Sequence, residues 1–129
     1  MRQVYSVFAA VMAAGGLGVQ FAESASLGNG VVIPELTEAG HRGQNAFAKF
    51  CASCHGVDAA GTGSGPPLIN RIYHPGHHGD MAFVIAARQG SPAHHWQFGD
   101  MPPVVGISDA EIADLIKFVR AVQKANGIY

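Results

Sequence analysis

The sequence predicts an all-α fold, three or more short helices joined by long loops rich in glycine and proline. Three observations carry this. Apolar residues recur at helical spacing in well-separated stretches, above all Glu38–Cys54 and Ser108–Lys124. The second of these opens with a capping box. The chain has seventeen glycines and seven prolines, more than an ordinary helical bundle carries, and they cluster in the segment between these helices. No stretch alternates apolar and polar residues as a half-buried strand would, and there is no internal repeat.

Met1 and Arg2 open the chain, and no residue from Gln3 to Ala22 is charged. A positive start followed by an apolar run is the pattern of a secretory leader. Ala22 and Ser24 offer the small residues of a cleavage site, so residues 1–25 are expected to be a signal peptide. The alternative is an uncleaved membrane anchor, because about 20 uncharged residues can just span a bilayer. Residues 26–36, with Pro34 near their end, are expected to be linker. Residues 37–129 are expected to form one domain.

Thr37 is a suitable N-cap for a helix from Glu38. Ala39, Gly43, Ala46, Phe47, Phe50, Cys51 and Cys54 recur at helical spacing, which places both cysteines at the end of the helix and on its buried face. Gly43 costs that helix about 1 kcal/mol relative to alanine, and close approach of another helix is the expected compensation. From Gly56 to Ile69 the pattern collapses into loop. Asp80 is expected to cap a second helix running through Arg88, with Phe83, Val84 and Ala87 on one face and Gly90 as its stop. A second loop follows, Ser91–Ile107. Ser108 and Glu111 then make the capping box of the last helix. Its buried stripe is Ile112, Leu115, Ile116, Val119 and Val122, with Phe118 beside it. Arg120 and Lys124 lie where the helix dipole favours cations, and Gly127 ends it.

The chemistry lies in Cys51-Ala52-Ser53-Cys54-His55. C-x-x-C-H is the attachment sequence for a c-type haem. Two thiols can add across the two haem vinyl groups, and the histidine that follows reaches the iron from one face. Other uses of the pair fit less well. A zinc site needs two more ligands, and with only two cysteines in the chain these would have to come from His74, His77, His78, His94 or His95. A thioredoxin-like pair needs a βαβ setting that is missing here. A disulfide would leave His55 unexplained. Haem in so small a chain would supply much of its core, so the apoprotein is expected to fold poorly.

An electron carrier usually closes the iron's sixth position. Met101 is the favoured ligand, since it sits in a loop before Pro102 and Pro103, which fix the backbone. His94 and His95 are the alternatives. Met81 is expected to pack in the core from the second helix. The loop histidines are expected to be mostly solvated, some touching the haem edge; a copper or other metal site, or a pH-sensitive docking face, is the competing reading. His41 falls on the exposed side of the first helix.

From Glu38 to Gln123 the chain resembles a class I cytochrome c. The resemblance rests on Gly43-x-x-x-Phe47-x-x-x-Cys51-x-x-Cys54-His55-Gly56, on Gly65-Pro66-Pro67-Leu68, on Gly99-Asp100-Met101-Pro102-Pro103 and on the final helix. It implies the small cytochrome c fold, with the helices wrapped around one covalently bound haem c. It implies that the first and last helices cross, setting Gly43 and Phe47 against Leu115 and Phe118. The family often carries tyrosine or tryptophan where Phe118 stands, so this contact would be purely apolar. The Pro66 carbonyl would accept the proton of the His55 nitrogen that is not on iron, and Leu68 would pack on the haem face. Arg71, Tyr73 or Trp96 would hydrogen-bond a propionate, ordinary packing being the other reading for Trp96.

The resemblance further implies export, because covalent haem attachment in bacteria occurs outside the cytoplasm. The expected role is single-electron transfer in the periplasm, from a dehydrogenase or cytochrome to an oxidase or another cytochrome. A bound subunit of a larger dehydrogenase is one alternative. A haem sensor or peroxidase with an exchangeable sixth ligand is another. A net charge of −1 with only 13% charged residues excludes the basic face that nucleic acid requires. It points instead to weakly steered redox partners that meet an uncharged rim around Ala52, Val57 and Pro103.

Overall fold

The computed structural model describes residues 25–26 and 30–129. The expected leader lies outside the described residues except for Ala25. Four α-helices make up the frame: α1 (Glu38–Phe50), α2 (Ala52–His55), α3 (Asp80–Gln89) and α4 (Asp109–Ala125). A 3₁₀ turn over Arg71–Tyr73 interrupts the loop between α2 and α3.

Helix α1 begins where the local chemistry says it should. The Thr37 hydroxyl accepts the Gly40 amide at 3.1 Å. Its end differs from expectation. Cys51 is the C-cap, with φ of −122°, and Cys54 and His55 belong to the separate turn α2. The break at Cys51 turns the chain, so Cys54 is exposed rather than on the buried face of α1. Helix α4 opens with the full capping box, Ser108 and Glu111 bonding each other's backbone amides. It closes in a Schellman motif. The Ile128 amide reaches the Gln123 carbonyl at 3.0 Å and the Gly127 amide reaches Lys124 at 3.2 Å.

These two helices cross closely. A Cβ added to Gly43 would lie 1.9 Å from the Asp114 carbonyl oxygen, so backbone meets backbone there. One turn on, the rings of Phe47 and Phe118 pack at 5.4 Å between centroids, both 0% exposed. Ile112, Leu115, Ile116, Val119 and Val122 are buried in the same core. Three ion pairs line the seam, Arg42 and Lys117 to Asp114 and Lys49 to Glu111, all involving exposed side chains. Pairs of this kind contribute only about 0–1 kcal/mol each, against roughly 1.5–3 kcal/mol for each fully buried apolar side chain.

Helix α3 starts one residue earlier than expected. Gly79 is its N-cap, and Asp80 is its first residue, with a carboxylate that pairs with Arg120 at 2.8 Å. Met81 does not pack in the core. It follows on the outer face and is 64% exposed.

Among the described residues there is one departure from an all-α chain. Strands β1 (Ala25–Ser26) and β2 (Val32–Ile33) pair antiparallel, Ala25 opposite Ile33. The Asn126 side chain grips the second strand like a further strand. Its Oδ1 accepts the Val32 amide at 3.0 Å and its Nδ2 donates to the Val32 carbonyl at 2.8 Å. Val31 is buried against the core, so the end of the expected linker is docked on the domain.

The crossing yields a prediction. Gly43→Ala should gain about 1 kcal/mol in helix propensity but lose about 1–3 kcal/mol, or more, to overpacking. A net fall in thermal midpoint is expected by calorimetry. A rise would show that the two backbones do not touch.

Candidate haem site

One large cleft, about 720 Å³, opens between the end of α1, the face of α3 and the two long loops. Its walls are mainly apolar: Phe47, Leu68, Phe83, Val104, Ile107 and Leu115 among them. Cys51, Cys54, His55, Pro66, Leu68, Trp96 and Met101 all line it. The sequence places these residues in four separate stretches, and the fold gathers them.

The first wall is set by α2. Both cysteines are free thiols, Cys51 half-buried and Cys54 exposed. Burial, and then the neighbouring Cys54, push the Cys51 thiol up to about 11. His55 is buried, and its Nδ1 donates to the Pro66 carbonyl oxygen at 2.9 Å. A carbonyl can only accept, so Nδ1 carries the proton and Nε2 is left with its lone pair.

Gly65 makes this bond possible. A Cβ there would lie 2.8 Å from the Cys54 carbonyl, so the loop backbone lies directly on α2. The Thr62 hydroxyl also bonds the Cys54 carbonyl. Pro66 is thereby brought over the histidine. Next along, the Leu68 and Ile69 amides both donate to the Ala59 carbonyl, at 2.8 and 3.1 Å, which fixes Leu68 in the wall.

Met101 lines the cleft from the loop that follows α3. Its backbone pairs with Ser91 in both directions, at 2.9 and 2.8 Å. Gly90, at φ of +77°, lets this pair form against the end of α3, since a Cβ there would lie 2.3 Å from the Met101 carbonyl. The Val104 amide then bonds the Ala87 carbonyl at 2.8 Å. Met101 is held by backbone contacts on both sides.

Trp96 and Tyr73 meet at the cleft, the indole Nε1 donating to the phenol oxygen at 3.1 Å. Burial raises the Tyr73 phenol above its ordinary value, and the Trp96 N–H partly offsets this. Arg71 does not come to the cleft. The 3₁₀ turn sends it to a separate hollow with His74, Gly127, Ile128 and Tyr129. The propionate role the resemblance implies for it does not fit this placement.

Two residues that hold the site escaped the sequence analysis. Gln123 is 1% exposed and donates to the carbonyls of Leu68 and Tyr73, at 2.9 and 3.1 Å. Arg120 bonds Asp80, Gln123 and the carbonyls of Tyr73 and His78. Its work is to clamp the loop before α3, not to complement a helix dipole. Gln123 could have been found, because it lies four residues beyond Val119 on the buried stripe, where a polar side chain must have a partner.

Two free thiols, an oriented imidazole and a thioether around one apolar cleft are the donor set a c-type haem uses. Four helices enclosing that set define a haem-binding class of protein. A family model for cytochrome c matches residues 40–123. The chain belongs to the cytochrome c family, as a class I c-type cytochrome. Members of this family bind haem c and transfer electrons, and their domains are typically exported. No individual curated protein and no solved structure gives a significant match. Among the described residues, no helix is long and apolar enough to cross a membrane.

The Tyr73–Trp96 bond yields a pH prediction. The phenol ionises at higher pH in the folded chain than its ordinary value of 10.0. Stability tied to it is therefore complete below that pH and drains as pH climbs through the raised value. Trp96→Phe removes a donor that favours the phenolate, and so lifts the folded value further. The variant's urea midpoint should fall more steeply with pH above 10 than that of the parent chain. An unchanged slope would show that the bond does not matter to the phenol.

Proposed function

We propose that this chain carries single electrons between exported redox proteins. One haem c is attached through Cys51 and Cys54, with His55 and Met101 as axial ligands. The observation that carries this reading is the 2.9 Å bond from His55 Nδ1 to the Pro66 carbonyl. It leaves the other ring nitrogen available as a ligand in a wall shared with two free thiols.

When bound, haem c supplies a one-electron iron couple. The thiols tether it in one orientation. His55 Nε2 serves as the proximal ligand, and the Pro66 carbonyl fixes the plane of the ring and its tautomer. The Met101 sulfur would be the second protein ligand to the iron; with both protein ligands supplied, the chain would act as a carrier rather than an enzyme. Leu68 packs on the haem face. Tyr73 already accepts the Trp96 N–H, so its own proton is free for a propionate. A soft thioether and apolar walls both favour the less charged, reduced form, so the potential should be fairly high.

The mouth of the cleft supports transient docking. Ile85, Phe98, Pro103 and Val105 line the cleft and are exposed at its rim, Val105 at 91%. Val57, beside α2, is 67% exposed. With a net charge of −1, an uncharged contact of this kind gives a small interface that separates quickly. The partners fitting this chemistry are a dehydrogenase or cytochrome as donor and an oxidase or cytochrome as acceptor. The charge-free run after Arg2 supports export to the periplasm, with an uncleaved leader as the possible anchor.

Absorption spectra of the exported protein in both redox states, with pyridine displacement, test the haem type and both thioether bonds. Met101→Ala should abolish the weak far-red charge-transfer band of the ferric form and lower the potential. A band that survives the substitution would assign the sixth position to another residue.

A further inference from the structure

Four of the five loop histidines converge. His77 and His78 come from the turn before α3, and His94 and His95 from the loop that carries Met101. The Nε2 atoms of His77 and His95 lie 3.2 Å apart, and those of His78 and His94 lie 3.5 Å apart. One ligand atom each from His77, His78 and His95 fall within 4.8 Å of one another. The four rings pack edge and face, with centroids of neighbouring pairs 4.4–5.8 Å apart.

The protonation of two rings is fixed by their backbone partners. His78 Nδ1 faces the Ile72 carbonyl at 2.8 Å, and His94 Nδ1 faces the Pro92 carbonyl at 2.7 Å. Both Nδ1 atoms must donate, so each neutral ring presents a bare lone pair at Nε2. The two lone pairs point into the same 3.5 Å gap. Either one of these nitrogens takes up a proton or a neighbouring cation takes up a lone pair. A proton would relieve this pair alone, and would add charge beside two more imidazoles. A metal ion bound to His77, His78 and His95 takes up the His78 lone pair and relieves the close His77–His95 pair. Histidine ligands that donate their other ring N–H to a backbone carbonyl are the usual arrangement at metal sites.

The geometry points to a binding site for a tetrahedral d¹⁰ cation, Zn²⁺ or Cu⁺, formed by His77, His78 and His95, with His94 beside it and the fourth position left to solvent. A tetrahedral ion at about 2.0–2.1 Å from nitrogen sets its ligands about 3.3–3.4 Å apart. The His77–His95 separation, 3.2 Å, is close to that spacing, and the His78 ligand atom completes a set within 4.8 Å, which a small turn of its ring can tighten. An all-imidazole set suits zinc and copper and disfavours calcium and magnesium, which take oxygen.

The site is framed before any ion arrives. The His77 and His78 amides both bond the His74 carbonyl, at 3.0 and 2.9 Å. The other loop is closed at its neck by the Ser91–Met101 pair and braced by Asp100, which accepts the Ala93 amide at 2.9 Å. His77, His94 and His95 are exposed, so an ion can enter from solvent. His78, His94 and His95 also line the haem cleft, which puts the ion at its mouth. His74 stacks on His77 at 6.0 Å between centroids, but its Nδ1 accepts the Gly76 amide at 3.2 Å and it lies in the hollow by Arg71, outside the group of ligand atoms.

The test uses untagged, chelator-treated holoprotein. It is titrated with Zn²⁺ alone and, anaerobically under reducing conditions, with Cu⁺ alone, each against a chromophoric competitor. Bound metal is counted by mass spectrometry separately from haem iron. One ion per chain is expected in at least one arm, and the arm that binds more tightly identifies the ion. Co²⁺ in its place should show tetrahedral d–d bands. The pair His77→Gln with His95→Gln should weaken binding at least roughly a hundredfold, the upper end of what loss of an outer partner alone costs. His41→Gln and His74→Gln should leave it unchanged. Haem absorption and circular dichroism check that each variant is folded, and His95→Gln alone serves should the double variant fail. Absence of binding in both arms overturns the proposal. So does an affinity that the double variant keeps, a dependence on His74 instead, or a spectrum with His94 or His95 on the haem iron.

Discussion

At Gly43 the backbone of α1 lies directly against the backbone of α4, and Phe47 and Phe118 close the same crossing without any exposed surface. Each wall of the cleft hangs from this pair of helices. The end of α1 delivers Cys51, and the turn after it delivers Cys54 and His55. From α4, Gln123 and Arg120 reach out to hold Leu68, Tyr73 and His78 through their carbonyls. A shift of one helix along the other would separate the thiols from the loop that orients His55. Packing fixes this crossing. The ion pairs along the seam lie in water and are too weak to decide its register.

What the sequence made legible was local. Thr37, Ser108, Glu111 and Gly90 act on neighbours within a few residues, and each stands where its pattern predicts. The absence of a side chain at Gly43 pointed correctly to a close crossing, because little else offsets a glycine in mid-helix. Periodicity did not reveal the break at Cys51, since α2 continues the helical spacing after the turn. It also placed Met81 inside, although α3 is only partly covered and its outer face meets water. The contacts of Arg120, Gln123 and Asn126 join residues far apart in the chain. Periodicity shows that Gln123 needs a partner, since it lies on the buried stripe, but not which carbonyl provides it. The resemblance implied a propionate role for Arg71, but a three-residue turn decides where it lies.

The loops carry most of the candidate donors yet contain little regular structure. They are positioned by single backbone contacts to rigid elements. Gly65 lies on α2, Leu68 hangs from the Ala59 carbonyl, and Val104 bonds the last turn of α3. This arrangement lets chemistry vary between the contacts while the frame stays constant, which is how loops on fixed scaffolds commonly serve function. It also explains why so short a chain can spend so many residues on glycine and proline. They sit where one backbone must approach another or turn sharply, and the apolar cleft they border is the core that the helices alone are too few to fill.

The loop from Ser91 to Met101 is tied at its neck by two backbone bonds and touches the turn before α3 through its histidines. Chain entropy is a minor part of what the second tie supplies, because loop closure changes by only about 0.6 kcal/mol for each doubling of length. Its larger effect is on direction. A loop held only at its neck can tilt as a unit about Gly90, carrying Met101 and Trp96 together. The histidine contacts, together with the Trp96–Tyr73 bond on the same side, oppose that tilt at the loop's far end. Two separated ties fix an orientation where one fixes only a position, so the histidines and the methionine belong to one mechanical unit even though they are separate as ligands.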